Sequence, residues 1–298
     1  MFDKPEGMTS FRAVSVCKAI CGVKKAGHAG TLDPLATGVL PILFGNATAL
    51  SEFLSCDRKS YLATFKVGAE TDTQDLTGTV MKTSPVRPDV CVWQEAAKTF
   101  LGKTKQIPPM YSALKKDGVP LYKLARRGES VTREPRDIEI YEITVSETKE
   151  PDVLELSVAC SKGTYIRTLI EDLARKVDTC AAMRSLRRLE HGAFSVESAV
   201  TLEVLEAAKG DETKLNSLIL PVERVLGVYP KLTLSAFSAR LAKCGAEIYR
   251  EREGYELPLK LGERVRLYDE NGRFFALGEY RAFLSGEAVK PIRFFLES

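Results

Sequence analysis

The chain has 298 residues, 44% of them hydrophobic and 28% charged, with a formal net charge of +3. That is the composition of a soluble globular protein with room for one large domain and a small one. No run approaches the roughly 20 apolar residues of a membrane helix, and Met1-Phe2-Asp3-Lys4-Pro5 lacks the basic and apolar regions of a secretion signal, so a cytoplasmic location is expected. Seven cysteines, at positions 17, 21, 56, 91, 160, 180 and 244, form no Cys-x-x-Cys and read as reduced thiols. Two histidines, His28 and His191, are too few for most metal centres, and there is no phosphate-cradling or dinucleotide glycine motif. The expectation is a chain with no metal, nucleotide or redox cofactor.

In chain order, Lys4-Pro5-Glu6-Gly7-Met8-Thr9-Ser10 reads as a turn followed by a helix cap on Thr9 or Ser10. Phe11, Val14, Cys17 and Cys21 then share one helix face, with Gly22 as the stop. The next stretch, Gly27-His28-Ala29-Gly30-Thr31-Leu32-Asp33-Pro34-Leu35-Ala36-Thr37-Gly38-Val39-Leu40, organises the chain. Its glycines allow a tight backbone, and Pro34 restricts Asp33 to an extended or turn conformation before an apolar strand. An Asp-Pro pair alone is an ordinary bend. Displayed on a stiff loop, the Asp33 carboxylate is also placed for chemistry. His28, on the same glycine-flanked loop, is a candidate substrate contact.

A short helix is expected over Ala47 to Phe53, after which Asp57-Arg58-Lys59-Ser60 leads into a strand alternating from Tyr61. Thr71-Asp72-Thr73-Gln74-Asp75-Leu76-Thr77-Gly78 reads as a loop of self-capping Asx turns, with Asp75 a weak acid–base candidate. Trp93 to Leu101 is amphipathic. From Lys103 to Arg136 there are nine Lys or Arg against three Asp or Glu, interleaved with Tyr111, Leu121, Tyr122 and Leu124. Basic runs are usually solvated faces, but charge mixed with aromatic surface also suits an RNA-gripping insertion.

Ile138 to Val145 and Val153 to Cys160 alternate as two strands, and Lys162-Gly163-Thr164-Tyr165-Ile166-Arg167-Thr168-Leu169 opens a helix through Lys176 with Thr164 as its cap. His191 reads as structural. Residues 230–298 form a β-rich module around the hairpin turn Asp269-Glu270-Asn271-Gly272.

Taken together, Lys-Pro-x-Gly-x-Thr-Ser, the fourteen-residue string around Asp33, Lys59-x-Tyr61 and Lys-Gly-Thr-Tyr-Ile-Arg-Thr-Leu, in this order, resemble the motifs of the TruB family of tRNA pseudouridine synthases. The resemblance spans nearly the whole chain. It implies an α+β pseudouridine synthase fold with a central, mostly antiparallel mixed sheet. Residues 1–229 would be catalytic, with a basic RNA-binding insertion at about 103–136, and 230–298 would be a PUA-like RNA-binding domain. The implied activity is isomerisation of the T-loop uridine of tRNA, position 55 in the family, to pseudouridine. Asp33 would be the catalytic carboxylate, Arg167 its partner, and Tyr61 the ring stacked on the base. Tyr165 and Leu186 would complete the pocket, and His28 would help to displace the base. The implied partner is the tRNA T-arm, with no membrane, no obligatory protein partner and a monomeric state. A bidentate Arg167–Asp33 contact would keep the carboxylate ionised and oriented. A glycoside hydrolase would need a convincing second carboxylate and would release uracil.

Overall fold

The computed structural model describes residues 1–54, 58–255 and 257–295. Cys56 and Asp57, read above from sequence, lie outside the described residues. By contact clustering the chain divides into two compact units, one of residues 1–22, 26–42 and 51–209, the other of 23–25, 43–50 and 210–298. The expected boundary stood at 229–230; here residues 210–229, with their short helices Glu212–Leu218 and Val222–Val225, group with the C-terminal strands.

The first unit is built on an eight-stranded mixed sheet. Its strands are β1 (Phe2–Lys4), β2 (Thr37–Leu40), β3 (Arg58–Val67), β4 (Gly102–Gln106), β5 (Arg136–Glu147), β6 (Val153–Ser161) and β7 (Ala181–His191), in the order β1-β2-β7-β3-β6-β5-β4, with the short strand Phe194–Ser195 beside β7. Every pairing is antiparallel except that of β7 with β2, where Arg187 faces Thr37 and Arg188 faces Gly38. The alternation read from Tyr61 onward survives as burial: Tyr61, Ala63, Phe65 and Val67 point into the core. Helix α1 (Ser10–Ile20) follows β1, α2 (Val90–Lys98) precedes β4, and α3 (Ile166–Lys176) follows β6. Trp93 of α2 meets Phe65 of β3 with ring centroids 5.1 Å apart, and both rings are fully buried, each contributing about 2–3 kcal/mol by leaving water. Leu169, Ile170 and Leu173 give α3 its core face.

Three local expectations differ. Phe11 does not share the buried face of α1; it is 78% exposed, and Ser10, Ala13, Val14 and Cys17 form that face instead. The 100° step per residue puts Ser10 inward, where its hydroxyl bonds the Asp33 loop, and turns Phe11 out. Thr9, not Ser10, caps the helix by accepting from Arg12 N. Thr164 does not cap α3; its hydroxyl donates to Ser161 O and closes the turn, leaving Tyr165 as the cap residue. The helix expected over 47–53 is a 3-10 helix over Gly45–Glu52.

The C-terminal unit is a five-stranded sheet of β8 (Lys231–Thr233), β9 (Ile248–Tyr249), β10 (Arg264–Tyr268), β11 (Phe274–Phe283) and β12 (Gly286–Phe294), ordered β8-β10-β11-β12-β9, with helix α4 (Ala236–Lys243). Asp269 Oδ1 accepts from Asn271 N and Arg273 N, which fixes the β10–β11 turn, and Gly272 takes φ +73° there. Val265, Leu267, Phe275, Ala276 and Val289 form its core.

Gly38 has no room for a side chain in the main sheet. Its φ is +101°, and a Cβ there would lie 2.2 Å from the Arg188 carbonyl oxygen across the parallel pairing. Gly38→Ala is expected to cost about 3 kcal/mol or more from strain and backbone clash. Urea unfolding tests this, and an unchanged midpoint would contradict it.

Candidate active site

The loop between Gly30 and Val39 is shaped by donors aimed at its carbonyls. Ser10 Oγ donates to Leu32 O at 3.0 Å and accepts from Leu32 N at 2.9 Å. Gly7 N donates to Pro34 O, and Ala36 N donates to Asp33 O. Lys4 has no exposed surface and donates from Nζ to Pro5 O, Met8 O and Pro34 O. Arg188, equally buried, donates from Nε to Val39 O at 2.7 Å and from Nη2 to Gly30 O at 2.9 Å, so one guanidinium ties both ends of the loop. Burial pushes the Lys4 ammonium down to about 8, against the pull of Asp33 and Glu6. The first-motif turn thus grips the loop directly.

With its backbone fixed, Asp33 points its carboxylate at Arg167 from the first turn of α3, Oδ2 to Nε at 3.0 Å. The Arg167 side chain is 5% exposed and Asp33 36%, so the pair is buried on the guanidinium side and open on the carboxylate side. The contact is not the bidentate fork expected. Arg167 Nη1 donates to Thr73 O at 2.8 Å and Nη2 to Tyr111 O at 2.8 Å, leaving Nε for the carboxylate. Asp75 Oδ2 stands 3.8 Å from Nη1, while Oδ1 accepts from Thr73 Oγ1, Thr77 N and Thr77 Oγ1 in the expected Asx turns. A second carboxylate therefore sits behind the arginine.

Asp33 and Arg167 lie in the wall of a cavity of about 300 Å³, lined also by Lys59, Tyr61, Ser112, Tyr165 and Leu186. Among the described residues Asp33 is the single carboxylate lining it. Tyr61 comes from β3 and Leu186 from β7, where Leu186 faces Ala63 in the register. Tyr165 is held by its peptide group: Gln106 Oε1 accepts from Tyr165 N and Gln106 Nε2 donates to Tyr165 O. Burial pushes the Tyr165 phenol up, with Ser112, Arg136 and Arg167 pulling it down, so it stays protonated. His28 ends the strand Ala26–His28 and is not among the residues lining the cavity. Burial, then Arg188, pushes its imidazole down, and its Nδ1 is buried without a hydrogen bond.

Lys4, Gln106, Ser112, Arg188 and the Thr73 carbonyl were not singled out from the sequence as parts of the site. Lys4 and Thr73 stood inside quoted stretches, so position in a motif could have flagged them. Gln106 and Arg188 act only through long-range contacts, with no local signal.

The sheet order, the glycine-bent carboxylate loop and the arginine at the head of α3 define a pseudouridine synthase fold. The model of the TruB family pseudouridylate synthase N-terminal domain matches residues 18–166, and that of the tRNA pseudouridylate synthase B C-terminal domain matches residues 167–227. The tRNA pseudouridine synthase B of Neisseria meningitidis serogroup A is 40% identical over 281 residues, covering 94% of this chain and 89% of that protein. The protein of the same name from Ectopseudomonas mendocina is 44% identical over 284 residues, covering 94% and 90%. Among solved structures, the crystal structure of a Cbf5-Nop10-Gar1 complex superposes with a TM-score of 0.75 at 27% identity, covering 99% of this chain and 84% of that one. The chain belongs to the TruB family of pseudouridine synthases.

His191 supports the loop from beneath. It is 1% exposed and its Nε2 pairs with Leu54 O at 2.8 Å. Burial, reinforced by Arg188, pushes it down to about 3, so the ring is neutral and Nε2–H donates. The folded state then binds the proton less well than the unfolded chain, whose histidine titrates near 6.5. This part of the stability is present above about 6.5 and is lost as pH falls towards 3. His191→Gln, which keeps a donor, is expected to show a flatter loss of stability across that window in urea titrations at several pH values. Parallel curves for the two proteins would contradict it.

Proposed function

We propose that this protein isomerises the T-loop uridine of tRNA, position 55, to pseudouridine, with Asp33 as the catalytic carboxylate. The observation that carries the reading is a nucleobase-sized cavity with a single lining carboxylate, ion-paired to a buried arginine. The names of its relatives as tRNA pseudouridine synthase B support tRNA as the substrate.

The reaction breaks the C1′–N1 bond, turns the uracil and forms a C1′–C5 bond. The C5 hydrogen leaves as a proton and N1 regains one, so no electrons are gained or lost and no redox partner is needed. One ionised carboxylate, acting as nucleophile or proton acceptor at the sugar, suffices. Arg167 fixes the direction of the Asp33 carboxylate. Tyr61 and Leu186 offer the faces between which an extruded base can lie, offsetting the few kcal/mol of unstacking. His28 serves outside the cavity, displacing the base from the RNA fold. The basic 103–136 stretch, whose Lys115–Lys116 and Val119–Pro120 strands and Leu121–Ala125 helix stand next in sequence to the cavity residues 112–114, holds the T-arm. The module of residues 230–298 adds a PUA-like RNA contact. The protein acts as a monomer without a guide RNA or partner protein.

Purified protein alone, incubated with unmodified tRNA transcript, is expected to place pseudouridine at the T-loop uridine and release no free uracil. Asp33→Asn is expected to fold and bind tRNA but to lose turnover by more than about a thousandfold. Wild-type-like turnover by Asp33→Asn, or release of uracil, would contradict the mechanism. Arg167→Lys replaces a fork serving Asp33, Thr73 O and Tyr111 O with one point charge, and is expected to slow single-turnover isomerisation by about a hundredfold through mispositioning. A rate within threefold of wild type would contradict that role.

A further inference from the structure

The loop that supplies the Thr73 carbonyl to Arg167 is held by a second set of groups outside the cavity. Gln74 follows Thr73 and takes φ +65°, the left-handed region that residues with a side chain rarely adopt. Its peptide groups are tied on both sides. Gln74 N donates to Thr71 O at 3.1 Å, and Met183 N of β7 donates to Gln74 O at 3.0 Å. Its side-chain amide is tied as well, and to α3. Thr168 Oγ1 donates to Gln74 Oε1 at 2.8 Å, and Gln74 Nε2 donates to Glu171 Oε2. Thr168 and Glu171 are each 5% exposed. Glu171 Oε1 in turn accepts from Arg175 Nη2, and a Glu70 oxygen lies 3.4 Å from the same nitrogen.

Arg167, Thr168 and Glu171 lie on the first two turns of α3, so one helix end grips the loop at three points. Arg167 bonds the carbonyl just before Gln74, while Thr168 and Glu171 bracket the Gln74 amide. The Thr73 carbonyl belongs to the peptide group that ends on Gln74, so a change in the Gln74 backbone re-aims it. A left-handed residue with a side chain persists only where its surroundings over-determine it. Burial, then the contact with Glu70, pushes the Glu171 carboxyl up to about 7. An apolar residue would fill that place at lower cost, so packing alone does not account for a carboxylate there. Gln74, Thr168 and Glu171 do not line the cavity.

We propose that Gln74 and Glu171 are positioning residues: their hydrogen bond, with Thr168 as the second arm, aims the Thr73 carbonyl at Arg167 and so sets the direction in which Arg167 holds Asp33. This rests on the Asp33–Arg167 pair being the catalytic centre. The clamp acts on the reacting geometry and leaves the grip on RNA untouched.

The test compares wild type, Gln74→Met and the exchange Gln74→Glu/Glu171→Gln. Three quantities are measured on each: single-turnover isomerisation of a T-arm stem-loop, the Kd for that RNA, and the thermal midpoint. Gln74→Met keeps the length of the side chain and removes both arms of the clamp. It is expected to slow isomerisation about tenfold with the Kd within about twofold of wild type. The exchange reverses donor and acceptor across the contact, leaving an oxygen at 74 for Thr168 and one at 171 for Arg175. It is expected to restore the rate to within about threefold of wild type. Three results would overturn the proposal: a Gln74→Met rate within twofold of wild type, a slower rate matched by an equal weakening of RNA binding, or an exchange no faster than Gln74→Met. Should the thermal midpoint show that Gln74→Met does not fold, Thr168→Val, which removes one arm only, is read by the same criteria. A wild-type protein that makes no pseudouridine would instead overturn the underlying reading, and this inference with it.

Discussion

The Arg167 guanidinium is the point where separate stretches of the chain converge. One planar group with five donors reaches the Asp33 carboxylate, the Thr73 carbonyl and the Tyr111 carbonyl, at 3.0, 2.8 and 2.8 Å. Taking such a charge out of water is expensive unless its N–H groups are met, and here two carbonyls, one facing carboxylate and the more distant Asp75 supply the compensation. The cost of burying the arginine becomes a constraint on everything around it. The 71–77 loop, the connection between β4 and β5 at Tyr111, and the Asp33 loop each have to present an oxygen at a defined place.

The Asp33 loop meets that demand because its own backbone is held from below. Lys4 and Arg188 are both inaccessible to solvent; Lys4 donates to Pro34 O of the loop, and Arg188 donates to Val39 O and Gly30 O at its two ends. Gly38 lets β2 pass against Arg188 where any side chain would clash. Stability and function are linked through these few groups. They fix the carboxylate before any substrate arrives, which is the condition for a preorganised site. The cavity wall is assembled on the same frame, with Tyr61 and Leu186 on neighbouring strands and Tyr165 clasped by Gln106.

Much of this was legible in the sequence, for a physical reason. Short motifs whose residues act through their own backbone are local, and the glycine–Asp–Pro loop, the alternation from Tyr61, the helix from Ile166 and the Asn271-Gly272 turn are of that kind. What escaped was long-range. The guanidinium looked like a bidentate partner for Asp33 because nothing local announces that Thr73 O and Tyr111 O would claim its other nitrogens. Phe11 looked buried because apolar residues at helical spacing usually are, whereas Ser10 takes the inward position to bond Leu32. Gln106 and Arg188 act on residues 59 and 149 positions away in sequence, a distance no window of sequence can span.

The most direct test is a crystal structure of the intact protein bound to a T-arm stem-loop. The account predicts the target nucleotide out of its stack, its ring between Tyr61 and Leu186, and its C1′ within about 3.5 Å of an Asp33 oxygen, with the Arg167 contact retained. A target base still stacked in the RNA, or lodged in a site that Asp33 does not reach, would contradict it.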